Sequence, residues 1–223
     1  MKMCDFHSHI LPAADHGSDS EKTSHTQLDI IAKAGVSAVV ATPHFYAHRE
    51  NVEDFLLRRE KSAGLISSYA KKLGIDLHLG AEVLVCVGME HMEGLGKLCI
   101  EGTNTLLLEM PFSYWNADLL ATVYEISRMN FQVVIAHIDR YIARSNVEEL
   151  FEIPHLLYQL NASAICKLQG RRKMLSFIDS GDICALGSDL HGVKGYRKFT
   201  KAVKIMRTKR AEALFEKTAS LLP

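Results

Sequence analysis

Short apolar runs alternate with amphipathic stretches along the whole 223-residue chain. The apolar runs cover residues 3–6, 36–41, 75–79, 105–108, 131–136, 156–160 and 183–186. Each is strand-length and apolar on both alternating faces, as expected of parallel strands buried on both sides. Between them the apolar positions recur at helical spacing, over roughly 21–34, 51–72, 117–129, 146–152, 172–180, 195–206 and 208–220. Strands that alternate with helices predict βα units around a parallel sheet, and about seven such units in one domain predict a distorted TIM-like (β/α)7 barrel. The alternative is an open doubly wound sheet, but no glycine-rich phosphate loop follows the first run as nucleotide binders of that fold require. Segment 85–103 lacks a clear period and reads as a short helix and loop. No linker or low-complexity stretch divides the chain, so residues 1–223 are expected to form one domain.

Bulk composition narrows the function classes. Twenty-six Lys and Arg balance 26 Asp and Glu, so no global charge points to nucleic acid or to a membrane surface. The longest apolar runs are far too short to span a bilayer, and MKMCDFHSH lacks the apolar core of a signal peptide. The five cysteines (Cys4, Cys86, Cys99, Cys166, Cys184) are odd in number, scattered and without a C-x-x-C, which suits reduced thiols packed in a cytoplasmic protein.

The count that changes the picture is 11 His. Six of the apolar runs are followed at once by residues able to bind a metal: His7 and His9, His44, Glu82, Glu109, His137, and Asp189 with His191. In a parallel barrel these strand ends converge on one face, where active sites are built. His7 and His9 are two apart on a strand and point to the same side, and Asp189 and His191 repeat that spacing. His16 follows in a loop before Gly17. The set is all nitrogen and oxygen, which suits Mn²⁺, Fe²⁺ or Zn²⁺, and nine candidates are too many for one ion. A lone Glu or His at a strand end is more often a capping or surface residue; the argument rests on six strand ends agreeing. His25, His48, His78, His91 and His155 lack such a context and read as structural or solvated.

The segments DFHSHILPAADHG, TPH, GAE, LLLE, AHIDRY and GSDLH together resemble the PHP (polymerase and histidinol phosphatase) superfamily. The opening HSHILP and the AH-x-x-RY segment are most similar to the manganese-dependent protein-tyrosine phosphatases of bacterial capsule and exopolysaccharide loci. The resemblance implies the PHP form of the barrel and two to three divalent metals, Mn²⁺ first, with Fe²⁺ or Zn²⁺ as alternatives. By matching motifs it implies one site at His7, His9, Glu82 and Asp189, and a second at Glu82, Glu109 and His137. It implies a third at His16, His44 and His191. Arg140 would bind the substrate phosphate, a metal-bridged hydroxide would attack phosphorus, and His191 or His44 would supply a proton. The implied partner is a phosphotyrosine protein, the tail of a bacterial tyrosine autokinase, or else a small phosphomonoester; assembly into oligomers is compatible with the family. Two departures stand out. Asp15-His16-Gly17 replaces the usual Asp-Asp-Gly, which favours zinc or iron, and Asp139 replaces a Glu before the arginine.

Four other readings compete. Cys166 and Arg172 have the C-x5-R spacing of cysteine-dependent tyrosine phosphatases, but Gln169 and Lys173 stand where that loop needs Gly and Ser or Thr. The basic run Arg171-Arg172-Lys173 reads as a solvated helix start or as part of the mouth. A histidinol-phosphate or nucleotide phosphatase would use the same metals. An amidohydrolase barrel also opens on H-x-H, but the Glu82–Glu109 pair and the Asp189-Leu-His191 ending argue against it. A metal-stabilised scaffold without turnover is the non-enzymatic alternative.

Overall fold

The computed structural model describes residues 2–144 and 146–223. Among the described residues nine strands form: β1 (Met3–Ser8), β2 (Val36–Ala41), β3 (His44–Phe45), β4 (Asp76–Leu79), β5 (Glu82–Leu84), β6 (Thr105–Glu109), β7 (Gln132–Ile135), β8 (Leu157–Asn161) and β9 (Ile183–Gly187). Every ladder is parallel, in two sheets of order β1-β2-β4 and β3-β5-β6-β7-β8-β9. Seven paths of chain underlie the nine strands. Pro43, which has no N–H to give to a ladder, separates β2 from β3. The bend at Gly80 separates β4 from β5, and its N–H still reaches Ala41 O at 2.9 Å. Between β9 and β1 the neighbours are joined by a bridge at Ser8–Leu190 and by Asp189 N–H to His7 O (2.8 Å) rather than by a regular ladder. The result is the expected TIM-like arrangement of parallel βα units with an irregular seam.

Helices α1 (Glu21–Lys33), α2 (Val52–Lys72), α3 (Ala117–Ser127), α4 (Val147–Phe151), α5 (Ala162–Cys166), α6 (Arg171–Ser180) and α7 (Arg197–Ala219) connect the strands. Three of them start on side-chain caps: Ser20 accepts from Thr23 N, Asn51 from Asp54 N and Asn116 from Leu119 N. Strand residues Phe6, Val39, Val40, Leu106, Leu108, Val133, Ile135 and Leu186 are fully buried, as their unbroken apolar runs require.

The structure corrects the sequence reading at several points. Segment 85–103 is not one helix and loop but two 3₁₀ turns, Met89–His91 and Leu95–Leu98, each entered through a left-handed glycine, Gly88 and Gly94. By contrast, the two helices expected over 195–206 and 208–220 are present: a φ of 64° at Arg207 breaks the helical path of α7 between them. Helix α5 was not anticipated. Cys86 is exposed and Cys166 half-buried, so only Cys4, Cys99 and Cys184 pack in the core. No helix among the described residues is long and apolar enough to cross a membrane.

Candidate metal centre

The C-terminal ends of the strands meet at one point, and Glu82 stands there. Its Oε1 is 2.8 Å from His137 Nε2. Its Oε2 is 2.9 Å from His44 Nδ1, 3.2 Å from His7 Nε2 and 3.3 Å from His9 Nε2. Asp189 Oδ1 closes on His9 Nε2 at 3.5 Å and His7 Nε2 at 3.9 Å. Glu109 Oε1 lies 3.4 Å from His137 Nε2, and its Oε2 3.9 Å from His44 Nδ1. The rings of His9, His16, His44 and His191 gather at the mouth, with centroids 4.1 Å apart for His9–His191, 4.6 Å for His16–His191 and 4.9 Å for His16–His44. All nine sequence candidates therefore come to one place. The grouping is less separate than the resemblance implies, because three sets have ligand atoms within 4.8 Å of one another: His9, His44, His191; His7, His9, Glu82; and His44, Glu82, Glu109. His9, His44 and Glu82 each belong to two of them.

The cage fits divalent ions. Two ligands about 2.0–2.1 Å from a shared tetrahedral ion stand roughly 3.3 Å apart. His7 Nε2, His9 Nε2 and Glu82 Oε2 show that spacing, standing 3.2–3.3 Å from one another. Glu82 Oε2 and His44 Nδ1 stand 2.9 Å apart without a well-directed hydrogen bond, and His191 Nε2 is buried with no partner, which is costly unless something else occupies those lone pairs.

Supporting residues that the sequence reading missed fix the ligands. Asp15 Oδ2 accepts from His9 Nδ1 at 2.6 Å and from His44 N at 3.1 Å, while Oδ1 accepts from Gly17 N at 2.8 Å. Gln159 Oε1 accepts from His137 N at 2.7 Å and from His7 Nδ1 at 3.1 Å. With Nδ1–H committed in both His7 and His9, it is Nε2 of each ring that turns inward, the atom a metal would take. Asn161 Nδ2 donates to Asp189 Oδ2 at 3.1 Å, and Arg140 pairs with the same oxygen. Two glycines allow this crowding. A Cβ on Gly17 would stand 2.1 Å from His9 Cβ, and one on Gly187 2.6 Å from both His7 Cβ and Gln159 Nε2. The only early signal for Asp15 was its place before His16-Gly17; for Gln159 it was an amide inside a buried strand. His25 stacks on Tyr69 and His91 is exposed, so neither joins the centre.

The charges interlock. Burial would raise the Glu82 carboxyl, but His7, His137 and His44 reverse the sign and hold it well below the usual range. Burial would lower His137; Glu109 and Glu82 outweigh it and push it up to about 9. His9 is likewise held up, against its burial, by Asp15, Asp189 and Glu82. His191 goes the other way, pulled down to about 4 by burial and by His9, so at neutral pH it is a neutral imidazole, ready as a ligand rather than as an acid.

Outside the cage, Arg140, Asp189 and His191 open onto a cleft of about 320 Å³ that Asn161, Ser163, Lys167, Lys194 and Lys198 also line. The run Arg171–Lys173 does not reach it. Arg171 instead donates to Ile165 O and Cys166 O at 2.8 and 3.0 Å. Cys166 donates to Lys198 O at 3.2 Å, and burial pushes its thiol above the ordinary value despite the nearby cations. That is the reverse of an activated nucleophile.

A parallel βα barrel with a histidine–carboxylate cage at its C-terminal mouth defines a metallohydrolase-type centre. The chain belongs to the capsular polysaccharide synthesis CpsB/CapC family, which it matches over residues 3–220. A Staphylococcus aureus protein provisionally named tyrosine-protein phosphatase CapC is 30% identical over 99% of this chain and 88% of its own length. Tyrosine-protein phosphatase YwqE of Bacillus subtilis is 26% identical, over 86% of this chain and 78% of the relative. A crystal structure from work on YwqE and Streptococcus pneumoniae CpsB, described as metal-dependent tyrosine phosphatases, superposes with a TM-score of 0.80 at 21% identity, covering 99% and 94% of the two chains.

Proposed function

We propose that this chain is a metal-dependent protein-tyrosine phosphatase. The observation that carries the reading is the cage itself: a central carboxylate, Glu82, within 3.3 Å of four imidazoles, with Asp189 of the cage lining a cleft that also presents Arg140. The relatives carry the name tyrosine-protein phosphatase, one of them provisionally, which supports the same substrate class here. His7, His9, Glu82 and Asp189 would hold one ion, Glu82, Glu109 and His137 a second, and His16, His44 and His191 a third, with Mn²⁺ the first choice and Fe²⁺ or Zn²⁺ favoured by His16. Bound divalent ions supply Lewis acidity toward phosphoryl oxygens and acidify water.

The chain's own residues do the rest. Arg140 offers a planar fork to two phosphoryl oxygens. Its present partner, Asp189 Oδ2, keeps Asn161 when the guanidinium turns to substrate. Asp15 and Gln159 keep His9 and His7 in the inward-facing tautomer throughout. A phenolate leaving group, of pKa about 10, departs with less proton donation than an alkoxide. A neutral His191 is therefore no obstacle, and neither His191 nor His44 is required as a strong acid. The partner this reading points to is a phosphotyrosine protein, the autokinase tail suggested by the resemblance.

The test is phosphate release from a phosphotyrosine peptide by metal-stripped protein, with and without added Mn²⁺. Release that needs the metal is the expected result. Hydrolysis of small phosphomonoesters alone would move the assignment to a histidinol-phosphate or nucleotide phosphatase on the same centre. Release without any metal would overturn the mechanism.

A further inference from the structure

The cleft beside the cage is more cationic than binding one phosphate requires. Lys167, Lys194 and Lys198 line it together with Arg140. Among the described residues no carboxylate oxygen lies within the 4.0 Å ion-pair limit of any of the three lysines. The two acids in the cleft wall are already engaged: Asp139 accepts from Asn161 N at 2.9 Å, and Asp189 is held by Arg140 and Asn161. Lys198 and Lys201 also act on the Cys166 thiol, so the positive field continues past the cleft along the start of α7. The whole chain carries equal numbers of basic and acidic residues. The excess is therefore local, placed at one end of the site, and not a reflection of overall charge.

We propose that Lys167, Lys194 and Lys198 form a second anion subsite, which takes an anionic side chain next to the phosphotyrosine in the substrate. This rests on the phosphatase reading above and adds a substrate class to it: phosphotyrosine flanked by acidic residues or by a further phosphoryl group. The cleft runs without a break from Asp189 and His191 to the three lysines. A peptide whose scissile phosphate meets Arg140 therefore sets its neighbouring side chain among them. Long-range attraction of this kind favours encounter and register, and it fades with added salt because the groups are solvent-exposed.

The experiment compares otherwise identical phosphotyrosine peptides flanked by glutamate, phosphoserine, glutamine or lysine, on the metal-loaded enzyme, with p-nitrophenyl phosphate as the reference substrate. The expected order of kcat/KM is acidic over neutral over basic. The acidic-to-neutral ratio should be about tenfold at low ionic strength, the size expected of three exposed charge pairs acting together, and should shrink toward one in 0.5 M salt. Phosphoserine above glutamate would identify a dianion as the preferred occupant; equality of the two would show that any anion serves. The ratio should collapse in Lys167→Met/Lys194→Met/Lys198→Met, and Lys194→Glu, a single change safe for folding, should favour the lysine flank. Fluorescence polarisation of the same peptides reads the preference without turnover. Should p-nitrophenyl phosphate and every peptide resist hydrolysis, the phosphatase reading fails, while the binding order still decides the subsite. Equal binding and equal kcat/KM for all flanks, or a preference that survives the triple replacement, would overturn the inference.

Discussion

Replacing Asp15 by asparagine keeps the shape of the side chain and changes what its two outer atoms can accept. The carboxylate accepts three donors: His9 Nδ1–H at 2.6 Å, His44 N–H at 3.1 Å and Gly17 N–H at 2.8 Å. An amide has one accepting oxygen. If that oxygen faces His9 and His44, the NH₂ group points at the Gly17 N–H, donor to donor. If it faces Gly17, His9 loses its partner and its tautomer is no longer fixed. Either way at least one buried donor, Gly17 N–H in the first case and His9 Nδ1–H with His44 N–H in the second, loses its acceptor, at about 1–3 kcal/mol for each. Carboxylate partners of metal-binding histidines are worth roughly 10–100-fold in metal affinity. At about 1.4 kcal/mol per tenfold that is about 1.4–2.7 kcal/mol, so the two routes agree. The expected result for Asp15→Asn is a Kd for Mn²⁺ or Zn²⁺ weaker by one to two orders of magnitude, measured by chelator competition. Phosphatase activity should be restored by excess metal. A weakened kcat that no metal concentration restores would show that Asp15 serves catalysis directly. An affinity within about twofold of the parent would refute the claim that it orients His9.

Other consequences follow from the same geometry. Gly187→Ala places a Cβ 2.6 Å from His7 Cβ and Gln159 Nε2, so metal binding should fall and thermal stability drop by about 1–3 kcal/mol, read by chelator competition and melting. Cys166→Ser should leave kcat/KM within about twofold, because that thiol is pushed up in pKa and bonded to Lys198 O; loss of activity would revive the cysteine mechanism. Metal loading near pH 7 should release protons, since His9 is held above its usual value and His137 sits at about 9; calorimetry in two buffers of different ionisation enthalpy reads it, and zero release would contradict the assignment. In metal-free protein the raised His137 stabilises the fold fully below its unfolded pKa, near 6.5. That contribution is lost as pH rises through about 9, so the melting temperature should decline over this window, and a flat profile would oppose it.

The strands were legible because parallel strands buried on both faces read as unbroken apolar runs, such as TLLLE and ICALG. The splitting of two strands was not, because it depends on one missing N–H at Pro43 and one bend at Gly80. ASAIC, which forms α5, is too short to show a helical period. Among site residues, those that follow an apolar run declared themselves by position: His7, His44, Glu82, Glu109 and His137. Asp15 and Asn161 did not, because their role lies in which other side chain they touch. Gln159 sits in the middle of LYQLN, where a buried amide must find partners. That requirement says a network exists without naming its members.

The backbone at the ligands was the least legible part, and it explains why those partners matter. His137 has φ 34° and Asp189 φ 52°, both in the left-handed region that glycine normally fills. Each costs of order 1–3 kcal/mol and persists only where its surroundings hold it. Glycine would relieve the strain, but it has no side chain to offer the cage. The holding contacts are specific: His137 N–H to Gln159 Oε1 at 2.7 Å, and Asp189 N–H to His7 O at 2.8 Å. Gln159 also accepts from His7 Nδ1 and donates to Asn161 Oδ1 at 3.1 Å, and Asn161 in turn holds Asp189. One chain of hydrogen bonds thus ties the ends of β1, β7, β8 and β9, fixes the tautomer of His7 and keeps two strained candidate ligands in place. The turns that aim the ligands and the contacts that set their protonation are the same structure, so neither can change without the other.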